Sequence, residues 1–263
     1  MMKHLFSLLF LSLLACNASA AIKGEEVSYQ VGDTTMKGYI AYDDATTKKR
    51  PGVLVIHEWW GHNDYTRKRA RMLAEMGYTA LAVDMYGDGK TATHPDDAGK
   101  FATAVNSNAD ERRARFVAAE ALLNKHPTVA TDQIAAIGYC FGGGVVLNMA
   151  REGLPLKGVA SFHGSLSTNT PAQSGKIKAR VLVLNGEDDV MAGPQSVTDF
   201  KKEMDSAGVN YKFVNYPNAK HSFTVPDADK SAEKFNMPLA YNAEADKASW
   251  SELDKFLKSV FTK

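Results

Sequence analysis

A chain of 263 residues with 31 Lys and Arg against 30 Asp and Glu carries a formal charge of +1, with acids and bases interspersed along it. That balance offers no basic face for a phosphate backbone, so nucleic acid is not an expected partner. The short clusters Arg67-Lys68-Arg69-Arg71 and Arg112-Arg113-Arg115 fall in helical patterns and read as solvated helix faces.

The chain opens on Met1-Met2-Lys3-His4, continues through an apolar-rich run over residues 5–15 and reaches the small residues Ala18-Ser19-Ala20, the order of a secretory signal. The expected mature chain is residues 21–263, a length that favours one α/β domain over two. A rival cut before Cys16 is open, because Leu13-Leu14-Ala15-Cys16 resembles a bacterial lipoprotein box. No later run approaches the roughly 18 to 20 consecutive apolar residues of a membrane helix. The expectation is an exported protein, periplasmic or secreted, without stable membrane insertion, as a monomer or small homo-oligomer. Removing the leader discards Cys16 and leaves Cys140 alone. An unpaired thiol sent to an oxidising compartment is a liability unless it is buried or used.

In chain order, the alternating segments 25–31 and 35–42, separated by Gly32-Asp33, predict an antiparallel hairpin at a sheet edge. Strands are then predicted over 52–57, 78–84, 133–139, 157–162, 180–185 and 211–216, and helices over 64–76, 109–125, 143–151, 194–207 and 240–261. Most of these strands are continuous apolar runs, which indicates coverage on both faces and a largely parallel sheet. The fold class is therefore α/β: a three-layer sandwich with a mostly parallel central sheet and an N-terminal antiparallel hairpin at its edge. Residues 222–239 have little periodicity and carry prolines at 226 and 238, so they read as a long loop of the kind that borders active sites.

The run Gly138-Tyr139-Cys140-Phe141-Gly142-Gly143 places one cysteine where a strand turns sharply into a helix. Glycine on both sides removes the Cβ atoms that such a turn would force together, the pattern of a nucleophile elbow. A thiol acting in acyl transfer needs a base and an orienting acid, both from loops at strand ends. Gly186-Glu187-Asp188-Asp189 follows one strand, and Pro217 to Phe223, which contains His221, follows the next. The chain order nucleophile, acid, histidine is that of α/β-hydrolases. Spacing alone leaves Asp188 and Asp189 both open.

Two other patterns fail on spacing. His57-Glu58-Trp59-Trp60-Gly61-His62 puts its histidines five apart instead of the four a zinc-protease helix needs. Gly89-Lys90-Thr91 resembles the end of a phosphate loop, yet aspartate stands at 84 where the first glycine belongs.

With these residues in view, essentially the whole mature chain resembles the dienelactone hydrolase family. The resemblance rests on the cysteine elbow, on Ile56 to Asn63, Asp84-Met85-Tyr86, Phe162-His163-Gly164, Gly186 to Asp189 and His221-Ser222-Phe223. It implies an α/β-hydrolase with a cysteine nucleophile, acting on small esters or lactones without a metal or organic cofactor. Carried over by position, Cys140 is the nucleophile, His221 the base and Asp189 the acid. Glu58 matches a glutamate beside the resting thiol, and the backbone N–H groups of Phe141 and Trp59 match the oxyanion hole. Glu58, Trp59, Phe141 and Tyr86 form the implied substrate-binding set.

Family members acting on dienelactone carry two arginines for the substrate carboxylate, and the matching stretches here read Gly87-Asp88-Gly89-Lys90 and Val225. An anionic substrate is therefore not expected, and Lys90 reads as a solvated loop lysine. His163 reads as structural. The alternatives are a thioesterase or acyl transferase using the same three residues, a peroxide-reactive thiol that lacks a resolving cysteine, or a binding protein on a retired hydrolase fold.

Overall fold

Alternation of apolar and half-exposed positions folds the first twenty described residues back on themselves. The computed structural model describes residues 21–262, so the leader and Cys16 lie outside the described residues. β1 (Ile22–Val31) and β2 (Thr34–Asp43) pair antiparallel along their whole lengths, and Gly32 at φ 56° makes the turn. The chain then runs β3 (Arg50–Ile56), α1 (Asp64–Glu75), β4 (Thr79–Val83), α2 (Pro95–Ser107), α3 (Ala109–Lys125), β5 (Val129–Tyr139), α4 (Phe141–Arg151), β6 (Gly158–Phe162), β7 (Arg180–Gly186), α5 (Pro194–Ser206), β8 (Tyr211–Tyr216), α6 (Ala228–Phe235) and α7 (Ala243–Phe261).

The eight strands form one sheet in the order β1-β2-β4-β3-β5-β6-β7-β8. β2 meets β4 antiparallel, and from β4 to β8 every pairing is parallel. Successive residues of β3 and β4 feed opposite cores, as a period of two dictates. Leu54, Ile56, Leu81 and Val83 pack with Phe116 of α3 and Val145 of α4, while Val53, Val55, Ala80 and Ala82 pack with Leu73 of α1 and Leu253 of α7. Full burial of each large aliphatic side chain contributes about 1.5 to 3 kcal/mol, so the sheet is held from both sides.

Several elements depart from expectation. α2 was not foreseen, and α6 occupies the middle of the predicted loop over 222–239. α4 begins at Phe141, two residues earlier than predicted, because the turn from β5 is made by Cys140 alone. β5 starts earlier, at Val129, and α7 starts later, at Ala243, where the Asn242 side chain accepts the Ala245 N–H at 3.0 Å. Two of the arginines read as solvated are buried: Arg69 pairs with Asp246 at 2.5 Å and Arg112 with Glu152 at 3.0 Å.

Because β3 to β8 run parallel, their C-terminal ends share one rim, the place where open α/β sheets put their sites. His57, Asp84, Cys140, His163, Asp189 and His221 all sit in the residues that leave that rim.

Candidate active site

Cys140 joins β5 directly to α4 at φ 51° and ψ −115°, backbone that a non-glycine residue adopts only under constraint. The constraint is visible on both flanks. A Cβ on Gly138 would lie 2.1 Å from the Gly142 carbonyl oxygen, and one on Gly142 would lie 2.5 Å from that of Ile56. The Cys140 N–H donates to the Phe162 carbonyl at 3.0 Å, tying the elbow to β6. The residue is partly exposed and its thiol is free. Phe141 follows as the first residue of α4, where a backbone N–H has no partner within the helix.

His221 follows β8, and its Nδ1 lies 2.9 Å from Asp189 Oδ2. Both side chains are buried. Its Nε2 is buried too and has no hydrogen-bond partner among the described residues. Burial opposes charge on this imidazole, but its proximity to Cys140 and its hydrogen bond to Asp189 outweigh that and raise its pKa well above the ordinary histidine value. Asp188 is exposed, so of the two candidate acids only Asp189 meets His221.

Glu58 leaves β3 buried at 3% exposure, and Ser222 donates its hydroxyl to Oε1 at 3.0 Å. Burial raises its pKa, while the charge of His221, the Ser222 hydroxyl and the charge of Arg69 favour the ionised form. Tyr86 donates to the Trp59 carbonyl at 2.9 Å, and its ring packs on His57 and Phe141. Its hydroxyl therefore anchors the loop that carries Trp59. Asp84 fixes the neighbouring loop by accepting the backbone N–H groups of Tyr86, Gly87, Gly89 and Lys37.

His57 uses both ring nitrogens. Nε2 accepts the Met85 N–H at 3.2 Å, so the proton sits on Nδ1 and is donated to the Glu58 carbonyl at 2.5 Å. Burial depresses its pKa to about 4. With both nitrogens engaged it has no lone pair to offer a metal, which removes the zinc-protease pattern on chemical grounds.

A cleft of about 520 Å³ opens beside Glu58, between Trp60 and Tyr65 on one side and Lys230, Lys234 and Phe235 of α6 on the other. Val225, which stands where one family arginine is missing, lines it as well. Lys90 does not, and it pairs with Asp88 at 3.3 Å while half exposed. A second cavity of about 400 Å³ lies against Phe141 and Gly144 on the other side of the elbow.

The dienelactone hydrolase family profile matches residues 36–261. The chain belongs to the dienelactone hydrolase family. It is accordingly an α/β-hydrolase acting on ester or lactone bonds. Its solved relatives include a dienelactone hydrolase-like promiscuous phosphotriesterase from metagenomic libraries, 33% identical with a TM-score of 0.85, the match covering 93% of this chain and all of that one. A dienelactone hydrolase from Anabaena variabilis, at 19% identity and TM-score 0.57 over 82% of this chain and 95% of its own, shares the fold. Protein usf of Aquifex pyrophilus is 28% identical over 233 residues, covering 84% of this chain and 98% of itself.

In this family member Cys140, Asp189, His221, Glu58, Phe141, Trp59 and Tyr86 all lie at the rim formed by the C-terminal ends of the parallel strands. Sequence reading missed Ser222, Tyr65, Arg69 and Thr224. They come from α1 and the segment after β8, and their only mutual signal is a contact across more than 150 residues.

Proposed function

We propose that the protein hydrolyses small neutral esters or lactones through Cys140, His221 and Asp189, by way of a thioester on Cys140. The observation that carries this reading is the Asp189–His221 hydrogen bond, which leaves the imidazole's other nitrogen unpartnered behind a cysteine held on a strained elbow. Asp189 accepts the Nδ1 proton, so Nε2 keeps its lone pair and takes the thiol proton of Cys140. The thiolate adds to the carbonyl carbon, and the N–H groups of Phe141 and Trp59 receive the oxyanion. Collapse breaks the C–O bond, and the imidazolium returns its proton to the leaving alkoxide. Water, deprotonated by His221, then cleaves the thioester to release the acid. Glu58 is the carboxylate beside the incoming substrate. Neutral substrates follow from Val225 in place of a carboxylate-binding arginine, since an unpaired desolvated anion loses a strong charge-assisted contact.

No helix among the described residues is long and apolar enough to cross a membrane. The leader-like residues 1–20 support export, with residues 21–263 as one catalytic domain, and fractionation of the producing cells tests this. For the chemistry, purified protein is incubated with p-nitrophenyl acetate. Turnover that both Cys140→Ala and His221→Ala abolish is expected, and equal rates in wild type and variants would overturn the reading.

A further inference from the structure

Behind His221 lies a chain of buried side chains that the chemistry above does not use. Arg69 of α1 donates from Nε to the Tyr65 hydroxyl at 3.1 Å, one helical turn away. The Tyr65 hydroxyl lies 2.6 Å from Thr224 Oγ1, and Thr224 Oγ1 lies 2.8 Å from His163 Nε2. Arg69 is itself fixed by Asp246 at 2.5 Å and by the Thr224 carbonyl at 2.8 Å.

The direction of this chain follows from donor counting. A guanidinium only donates, so the Tyr65 oxygen accepts from Arg69 and its single proton is free for Thr224. The Thr224 proton then points at His163 Nε2, which must be a lone pair, and the His163 proton sits on Nδ1. This arrangement leaves one buried orphan, the Nδ1–H, and Nδ1 is the His163 atom without a partner among the described residues. The reverse arrangement, with His163 donating from Nε2, strands both the Tyr65 proton and the Nδ1 lone pair. Each stranded buried group costs about 1 to 3 kcal/mol, so the first direction wins.

We propose that Arg69, acting through Tyr65 and Thr224, locks His163 as the neutral imidazole protonated on Nδ1, and that His163 in this state is a positioning residue for His221. The two rings pack at 5.2 Å with 68° between their planes. With Nδ1 already protonated, a further proton on Nε2 of His163 would put a second cation against the imidazolium that His221 becomes during turnover. The lock occupies that position with a hydroxyl proton instead. Burial and the nearby charges of His221 and Arg69 push the His163 pKa down in the same sense. The other titratable groups packed around it are Tyr139, whose ring lies against it, and Tyr65, reached through Thr224. The catalytic half of the proposal rests on the hydrolase reading, and the tautomer does not.

Nitrogen-15 NMR of the histidine rings in the purified protein reads the tautomer directly. His163 is expected as Nδ1–H, without titrating, over about pH 6 to 8. Thr224→Val, which keeps the shape and removes the hydroxyl, is expected to populate Nε2–H. It should also lower kcat for p-nitrophenyl acetate roughly two- to tenfold, the equivalent of one net hydrogen bond, and move the acid limb of the pH–rate profile upward. Thr224→Ser should restore both signals. Tyr65→Phe, which removes the director of the Thr224 proton, should mix the tautomers in the same way and serves if Thr224→Val does not fold. A wild-type His163 that carries its proton on Nε2, or is cationic at neutral pH, overturns the proposal. So does a Thr224→Ser variant as impaired as Thr224→Val. Nδ1–H without any ester turnover upholds the lock and overturns the hydrolase reading with its catalytic half.

Discussion

The Asp189 carboxylate bonds His221 with one oxygen and its own turn with the other. Oδ2 meets His221 Nδ1 at 2.9 Å, while Oδ1 accepts the N–H groups of Met191 at 2.8 Å and Ala192 at 3.1 Å. The acid is thus oriented by the backbone of the turn after β7 before the imidazole reaches it. Asp189→Asn separates the two functions. The amide oxygen can keep the turn, but the amide N–H₂ then faces Nδ1 and forces the proton onto Nε2, where it blocks the thiol. Folding stability should stay within about 1 kcal/mol of wild type, while kcat for p-nitrophenyl acetate falls on the order of 10³- to 10⁴-fold. A variant that retains a tenth of the wild-type rate would show that His221 does not depend on Asp189 for its tautomer.

The sheet was legible because its strands are buried on both faces: residues 53–56 and 80–83 are wholly apolar and lie in the core. The elbow was legible because steric crowding demands glycine at 138 and 142, and that demand is written locally. α2 was hidden because only Ala98 and Val105 of its residues are buried and its N-cap is His94, whose ring accepts the Asp96 N–H. α6 buries only Ala228, so it leaves no apolar stripe to find. At the site, the choice of Asp189 over Asp188 came only with the family resemblance, while Cys140 and His221 follow from motif and chain order. The hydroxyls of Ser222, Thr224 and Tyr65 do not, because a hydroxyl has no pattern until the fold supplies its partner.

The crowding at the elbow makes a quantitative prediction. In Gly142→Ala the new methyl would sit 2.5 Å and 2.6 Å from the carbonyl oxygens of Ile56, the last residue of central strand β3, and His57 just after it, backbone atoms that cannot turn aside. Overpacking of this kind costs about 1 to 3 kcal/mol. Gly99→Ala is the control, since nothing lies within 4 Å of that position and it falls inside α2, where alanine gains about 0.5 to 1 kcal/mol over glycine. Urea midpoints should therefore move in opposite directions, and a Gly142→Ala midpoint at or above wild type would contradict the packing described for the elbow.

Glu58 is held between burial, which favours its neutral form, and the Ser222 hydroxyl, which donates to its ionised form at 3.0 Å. Removing the donor strengthens the first influence. Ser222→Ala should raise the Glu58 pKa further, visible as an upward shift of its carboxyl titration in carbon-13 NMR. The thermal midpoint of the variant should change little at pH values where Glu58 is already neutral. A titration that stays in place, or moves down, would mean that Ser222 does not act on this carboxylate.

His57 provides the pH test of stability. Its folded pKa is depressed to about 4 by burial, whereas the unfolded chain takes up the same proton near 6.5. A depressed pKa means the unfolded state binds more protons between those values, so the stabilisation His57 provides is fully present above pH 6.5 and is lost as pH falls toward 4. Across that window the loss amounts to about 3 kcal/mol. His62 and His163, also depressed by burial, act in the same direction, while Glu58 and His221, whose pKa values are raised, act in the opposite one. The comparison of wild type with His57→Gln removes those shared contributions. The variant should be less stable at pH 7, where the Met85 and Glu58 backbone groups lose their partner, and the gap should narrow by about the full 3 kcal/mol on acidification to pH 4. Urea unfolding at half-unit pH steps measures it, and a gap independent of pH would show that His57 is not held neutral in the folded protein.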